Sequence, residues 1–460
     1  MHIRKDVLNL TIPIFTEQTF IITMGVINAI MAGHIGKEAV SAIGMVDSVN
    51  NMFIAFFSAL AVGATVVVAH FAGKRNNEKA NEATKQALYS GFILAAAIAL
   101  MTWVFRHVLI STLYGAAEQQ VLNNAYLYLQ ITLLTYPLIA ITSIAAGVLR
   151  GAGDTRTPAK VTLLMNVINI ILSYLLIYGL DVRNSHLHIY IPQMGITGAA
   201  LGIAAARITG SVIILFTLLK GSKIIRLDRL FSFRFDMELQ KSIFGIGIPA
   251  SIESMFFNIG KLITQIFIVG MGTGSIAANY IASSVFGIIN VAGSSLSIAA
   301  TTMVGQKMGS GESEEAQSIL SYLVRFSTLC FLVPCTVAVI FSKPIVMMYT
   351  QDAEIIHLAS NLIMYSALVT PLLWTLSFML PAGLKGAGDV KYTMVTAIIG
   401  MWVFRITLGY ILGIPLKFGV LGVWFGMFID WLVRGILYYR RLKNGKWKNN
   451  VVIKSMEEAA

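Results

Sequence analysis

The sequence predicts an all-α polytopic membrane protein of twelve transmembrane helices, built as two parallel six-helix repeats. Three observations carry that fold class. Of 460 residues, 56% are hydrophobic and 12% charged, and the mean hydropathy is +0.75; a soluble domain does not tolerate that balance. Apolar runs of about 20 residues, each long enough to cross a bilayer, recur from end to end. The third is an internal repeat. TIPIFTEQTFIITMGVINAIMAGHIG (Thr11 to Gly36) aligns with GIPASIESMFFNIGKLITQIFIVGMG (Gly247 to Gly272). It pairs Pro13 with Pro249, Glu17 with Glu253, Phe20 with Phe256 and Gly36 with Gly272 at one constant offset.

Span 1 is expected over residues 7–32. His2, Arg4 and Lys5 before it imitate a signal peptide, but the run is long, contains Glu17 and lacks a small-residue cleavage site, so it reads as a retained helix. Span 2 follows at 44–72, with Asp47 at its start as an N-cap or interfacial residue. Spans 3 to 6 are expected at 86–110, 121–149, 158–179 and 194–219. The second half repeats the pattern at 243–270, 276–307, 318–342, 357–384, 391–413 and 418–440. The chain thus divides into an N-lobe (1–219), a cytoplasmic amphipathic linker (220–241), a C-lobe (242–442) and a basic cytoplasmic tail (443–460). The linker mixes cations with Ile224, Ile225, Leu227, Leu230, Phe231 and Phe233, the pattern of a segment lying on anionic lipid or of a flexible tether.

The net charge of +12 sits in short loops and at the tail, which suggests topology determinants rather than a nucleic-acid surface. Cations follow the even-numbered spans: Lys74, Arg75, Lys79 and Lys85; Arg150, Arg156 and Lys160; Lys220 to Arg234; Arg440 to Lys448. The positive-inside rule then places both termini in the cytoplasm. Cys330 and Cys335 share one apolar run, which disfavours a disulfide framework or a metal site.

The duplication extends beyond the first stretch. Leu149-Arg150-Gly151-Ala152-Gly153-Asp154 matches Leu384-Lys385-Gly386-Ala387-Gly388-Asp389, and Gly195, Gly198 and Gly202 match Gly419, Gly422 and Gly426. An even number of helices per copy makes the copies parallel, a transporter architecture with its substrate cleft between the halves. The two GAGD segments lack the Gly-Lys-Ser/Thr of a phosphate loop. They read as cytoplasmic turns, with Gly153 and Gly388 reversing the chain and Asp154 and Asp389 capping the next helix.

These paired LRGAGDTRTP and LKGAGDVKYT segments, the Pro-led starts of spans 1 and 7, the run Asn166 to Leu172 and Arg405 in span 11 resemble the multidrug and toxic compound extrusion (MATE) family over essentially the whole chain. The resemblance implies a V-shaped central cleft and efflux of organic cations and drugs from a bacterial plasma membrane, driven by inward Na⁺ or H⁺. It implies a monomer with no cofactor beyond the coupling ion and no nucleic-acid partner. It also exposes departures: Asn28, Ser173 and Trp374 stand where relatives carry carboxylates, which shifts weight onto Glu253 and Glu17.

An ionisable group inside hydrocarbon is costly, hence a site hypothesis by default. Glu253 is the best candidate: occupied by a proton, by a transient Na⁺ or by a cationic substrate, never by two, it satisfies an antiport rule. The alternative is a packing residue near the Pro249 break, and Glu17 follows by duplication. Asn169, which the resemblance places near the N-lobe cavity, joins the candidates, as do Asn28, Asn258 and Tyr280. Asn166, Asn258 and Gln265 are the usual interhelical hydrogen-bonding amides; Phe256, Phe257, Tyr280 and Phe286 can wall a flat cation or simply pack. Arg405 and Asp430, at comparable depth, are expected to form a structural charge pair. Arg207 and Lys261 are further intramembrane cations. A flippase for a lipid-linked substrate is the alternative function. No catalytic constellation, metal-ligand spacing or nucleotide motif supports an enzyme.

Overall fold

In hydrocarbon every backbone polar group must be bonded within its own segment, so apolar runs of this length fold as helices. The computed structural model describes residues 2–33, 35–115, 117–184, 187–227, 234–450 and 452–453. Among them, eleven helices are long and apolar enough to cross a membrane, and a bent pair supplies a twelfth span.

The first half comprises α1 (His2–Gly33), α2 (Lys37–Gly73), α3 (Asn77–Tyr114), α4 (Gln119–Leu133), α5 (Tyr136–Gly151), α6 (Arg156–Tyr178) and α7 (Gly195–Lys220). Helices α4 and α5 meet at 48° and together make span 4. The second half comprises α8 (Met237–Val269), α9 (Thr273–Gly309), α10 (Ser313–Ile340), the short α11 (Ser342–Met347), α12 (Ala353–Val369), α13 (Leu380–Gly386), α14 (Val390–Ile399), α15 (Thr407–Gly413) and α16 (Gly419–Lys443). Two π-helical stretches, Thr370–Met379 and Gly400–Ile406, interrupt spans 10 and 11 respectively. Pro371 removes a backbone donor at the start of the first, which favours a widened turn there.

One element lies outside the all-helical expectation. Between α6 and α7, strands β1 (Leu180–Asn184) and β2 (Leu187–Ile191) form an antiparallel hairpin in the register Leu180–Ile191.

The chain divides into two compact units. One contains residues 16–68 and 77–243; the other contains 1–15, 69–76 and 244–460. Among the described residues, the first contains an apolar core in which Tyr128, Leu129, Tyr136 and Phe57 are fully buried, and Val66, Leu88, Val148 and Leu149 are buried in the same unit outside that cluster. The second has two, one around Trp431, Trp374 and Phe331 and one around Leu320, Leu384, Tyr438 and Trp447.

The duplicated glycines perform the same packing in both halves. A Cβ on Gly198 or Gly202 would fall 2.4 Å from the Leu176 carbonyl and 2.2 Å from Ser173 Oγ, so α7 presses directly on α6. Gly422 and Gly426 do the same for α16 against α15, at 2.6 Å from Leu412 and 2.5 Å from Gly409.

The GAGD turns reverse as expected, with Gly153 at φ 85° and Gly388 at φ 88°. Their aspartates diverge. Asp154 accepts the backbone N–H groups of Arg156 and Thr157 at 3.1 Å each and so caps α6. Asp389 makes no such bond; it takes both arms of Arg441, at 2.6 and 3.0 Å, because that cation arrives alongside from the end of α16.

The described ends of the linker are tied to protein. Ile225 and Leu227 are buried rather than free to lie on lipid. The Arg226 N–H reaches Asn81 Oδ1 at 2.8 Å, Ser222 donates to Asp154, and Gln240 Nε2 donates to Gln86 Oε1 at 2.8 Å. Leu230, Phe231 and Phe233 lie outside the described residues. The tail is likewise docked as far as it is described. Trp447, on a 3₁₀ turn (Lys446–Asn449), is fully buried and donates to the Leu442 carbonyl at 3.1 Å, and Lys448 pairs with Glu314 at 2.7 Å.

Candidate functional site

Each repeat builds the same carboxylate site. Pro13 lies inside α1 and Pro249 inside α8, each one turn before its glutamate. Glu17 accepts from Arg150 Nη2 at 2.5 Å and from Thr162 Oγ1 at 3.2 Å. Glu253 accepts from Lys385 Nζ at 2.7 Å and, more weakly, from Thr393 Oγ1 at 3.5 Å. Arg150 and Lys385 are the matched cations of the two GAGD segments, on the last turns of α5 and α13. The glutamates, sought as free cation attractors, are thus ion-paired. The pairing was legible in principle, since carboxylate and cation belong to the same duplicated pattern. Accessibility separates the copies: Glu17 and Arg150 side chains are 3% and 16% exposed, Glu253 and Lys385 15% and 20%.

The other candidates scatter. Buried Asn169 accepts from Ser173 Oγ at 2.7 Å, one turn along α6. Asn28 is half-buried on α1. Asn258 donates to its own helix at the Ser254 carbonyl, 2.8 Å away. Tyr280 is 69% exposed on α9 and has no aromatic partner among the described residues. Phe286 stacks on Trp431 at 5.6 Å as core, and Phe256 meets Trp402 edge-on at 5.8 Å. Gln265 does act as an interhelical amide, accepting from Asn279 at 3.1 Å, while Asn279 accepts from Trp424 Nε1 at 2.9 Å.

Arg405 and Asp430 do not make the expected direct ion pair, although the Asp430 charge acts on Arg405. Asp430 is held by Arg434, one turn on along α16, through two bonds of 2.7 and 3.0 Å. A partner four residues away on the same helix is preorganised, and it takes both carboxylate oxygens. Arg405 lies instead 5.8 Å from the Phe257 ring centre.

Sequence reasoning missed a polar network around Asp47. Helix α2 begins at Lys37, so Asp47 is well inside it and caps nothing. Asp47 Oδ1 accepts from Tyr128 at 3.3 Å and from Asn50 Nδ2 at 3.4 Å; Asn50 in turn accepts from Tyr136 at 2.8 Å. Arg207 on α7 donates to Thr135 at 2.8 Å and contributes a nearby positive charge. The network ties α2, α4, α5 and α7 together, with the Asp47 carboxylate held by one tyrosine hydroxyl and one amide. Its sequence signal was the one-turn pair Asp47 and Asn50, hidden by placing the helix start too late.

Comparison with known proteins gives concordant results. The MatE family model matches residues 13–175 and 249–411, one match in each repeat. The chain is 26% identical over 439 residues to "Uncharacterized transporter YisQ" of Bacillus subtilis, covering 95% of this chain and 94% of that one. It is 27% identical over 459 residues to "Probable multidrug resistance protein NorM" of Thermotoga maritima, covering 98% and 95%. Its fold matches a solved structure described as the outward-facing conformation of a multidrug resistance MATE family transporter, with TM-score 0.87, 20% identity and 97% coverage of both chains. With both repeats matched across most of their length, the chain belongs to the MatE family of membrane transporters.

Proposed function

We propose that the protein is a secondary active multidrug efflux transporter of a bacterial plasma membrane. It exchanges organic cations and other drugs against Na⁺ or H⁺ by alternating access, as a monomer with cytoplasmic termini. It uses no cofactor beyond the coupling ion and catalyses no covalent reaction. The observation that carries this reading is the Glu253–Lys385 pair, a partly accessible carboxylate in a membrane helix whose cation is a flexible amine. Relatives named for multidrug resistance support the choice of cargo.

The pair suggests how coupling operates. A proton or Na⁺ that takes the carboxylate frees Lys385 from it, and re-forming the pair expels the ion. An inward monovalent cation gains about 2.3 kcal/mol per 100 mV of inside-negative potential, which supplies the work for export. Uptake of a fluorescent organic cation into everted vesicles under an imposed pH or Na⁺ gradient tests this. Wild type should follow one gradient, and Glu253→Gln should lose that dependence. Export that continues with both gradients collapsed would refute the proposal. The cations of the second half favour a second reading, a flippase for a lipid-linked anionic substrate, which assays of lipid-linked sugar translocation would reveal.

A further inference from the structure

The duplicated scaffold does not account for the cations of the second half. On one face of α8, Glu253, Phe257 and Lys261 follow one another at four-residue intervals. The Phe257 ring lies 5.8 Å from the Arg405 guanidinium and 5.7 Å from that of Arg434. Gly260 lets the π-helical stretch Gly400–Ile406 approach closely: a Cβ there would fall 2.4 Å from Met401 and 3.5 Å from Ile406. Lys261 and Arg405 are the immediate neighbours of these contact residues, and each lies in the other's electrostatic field.

The charges in this region do not balance. Beyond the first turns of its spans, the second half holds two carboxylates, Glu253 and Asp430, and both are taken, by Lys385 and Arg434. The Lys261 and Arg405 side chains form no ion pair or hydrogen bond with a described residue. Trp402, three residues before Arg405, keeps a buried indole N–H without a partner among the described residues. Lys261, Arg405 and the Trp402 indole thus all present donors. Unpaired cations at membrane depth are strongly unfavourable and call for a counter-ion. Packing does not require them either: the repeat-equivalents of Lys261 and Arg405 are Gly25 and Asn169, which are neutral. Lys261 is exposed and Arg405 half-buried, so each keeps accessible surface.

We infer that Lys261 and Arg405 form a binding site for an anionic group, a carboxylate or phosphate, on an amphipathic ligand, with Phe257 and Trp402 as its apolar wall. The guanidinium fork takes two oxygens of the anion and the ammonium adds a point charge. The inference rests on the efflux reading and narrows its cargo to molecules that carry an acid beside the organic cation.

The test compares a rhodamine bearing a free carboxylate with its ethyl ester, which keeps the cation and loses the acid. Binding to the full-length protein is followed by fluorescence anisotropy in phosphatidylcholine nanodiscs, well above the pKa of the dye's carboxyl. Wild type should bind the acid roughly tenfold or more tightly than the ester. Lys261→Gln and Arg405→Gln should each remove most of that preference, bringing the affinity for the acid close to that for the ester in the same variant. Nanodiscs containing phosphatidylglycerol identify the source of the anion: loss of the preference there means a lipid phosphate occupies the same site, and its persistence means a soluble ligand does. Equal binding of acid and ester by wild type, a comparison that needs no variant, would overturn the inference. So would a preference that survives in both variants. Export of the ester by everted vesicles reports separately on the efflux reading, so either idea can fall while the other stands.

Discussion

Glu17 and Glu253 are copies of one residue in unequal surroundings. Glu17 is almost sealed, its Oε2 is buried without a partner, and its cation is a planar guanidinium. Glu253 and its lysine are more open. Removing one partner of a buried pair leaves the other charge uncompensated. Glu17→Gln should therefore cost about 3 kcal/mol of stability, and Glu253→Gln about 1 kcal/mol with the larger loss of coupled transport. Unfolding of the two variants in one detergent checks the order, and a greater loss for Glu253→Gln would reverse this assignment of roles. Both carboxylates were legible because charge stands out in an apolar run. Their partners were not, because Arg150 and Lys385 lie 133 and 132 positions away in the chain. Asp154 makes a pH prediction. Burial raises its pKa, but hydrogen bonds from Ser222 and Thr157 and the charge of Lys223 outweigh that and hold the carboxyl below its ordinary 3.8. A depressed folded-state pKa gives stability that is complete above the ordinary value and lost as pH falls through the lowered one. Between pH 6 and pH 3 wild type should thus lose part of its advantage over Asp154→Asn, and a constant difference across that window would exclude the linkage.

At the scale of elements, the matched glycines state a packing rule that the sequence announces twice. Gly198 and Gly422 bring α7 onto α6 and α16 onto α15 with no room for a side chain. Gly198→Val and Gly422→Val should each cost about 1–3 kcal/mol, read as a lower unfolding midpoint, since neither facing backbone can withdraw. A neutral result at either site would mean that the helices do not pack so closely there. Other elements were less legible. The start of α2 was missed because Lys37 to Ser41 is polar enough to pass for a loop, and that error turned Asp47 from a network centre into a cap. The hairpin is faint in the sequence: LDVRN and LHIYI alternate in character, but five-residue strands give a weaker signal than the long apolar runs on either side. Of the two π-helical stretches only the first has a local cause visible in the sequence, Pro371; the stretch that carries Arg405 has none. Trp447 shows the same limit, a tail residue whose apolar character, rather than the basic residues around it, decides where it goes.

For the whole molecule, twelve spans and their duplication could be read directly, because hydropathy and a constant offset are one-dimensional signals. What broke the symmetry could not be read so easily. The second half carries Lys261, Arg405, Asp430 and Arg434 inside its spans, and which of these pair depends on helix phase and approach, as the Asp430–Arg434 pair shows. Each compact unit has an apolar cluster of its own residues and encloses a buried ion pair, Glu17–Arg150 in one and Asp430–Arg434 in the other. Stability in such a chain is a property of each unit before it is a property of the whole. Hydrogen exchange followed by mass spectrometry makes this measurable. Glu17→Gln should speed exchange within 16–68 and 77–243 while amides of 244–450 keep their protection. Asp430→Asn, which strands a buried arginine, should do the reverse, with its largest effect in α14, α16 and the π-helical stretch between α14 and α15. If either substitution instead accelerated exchange evenly along the chain, the molecule would open as one cooperative body and the division into units would have no energetic meaning.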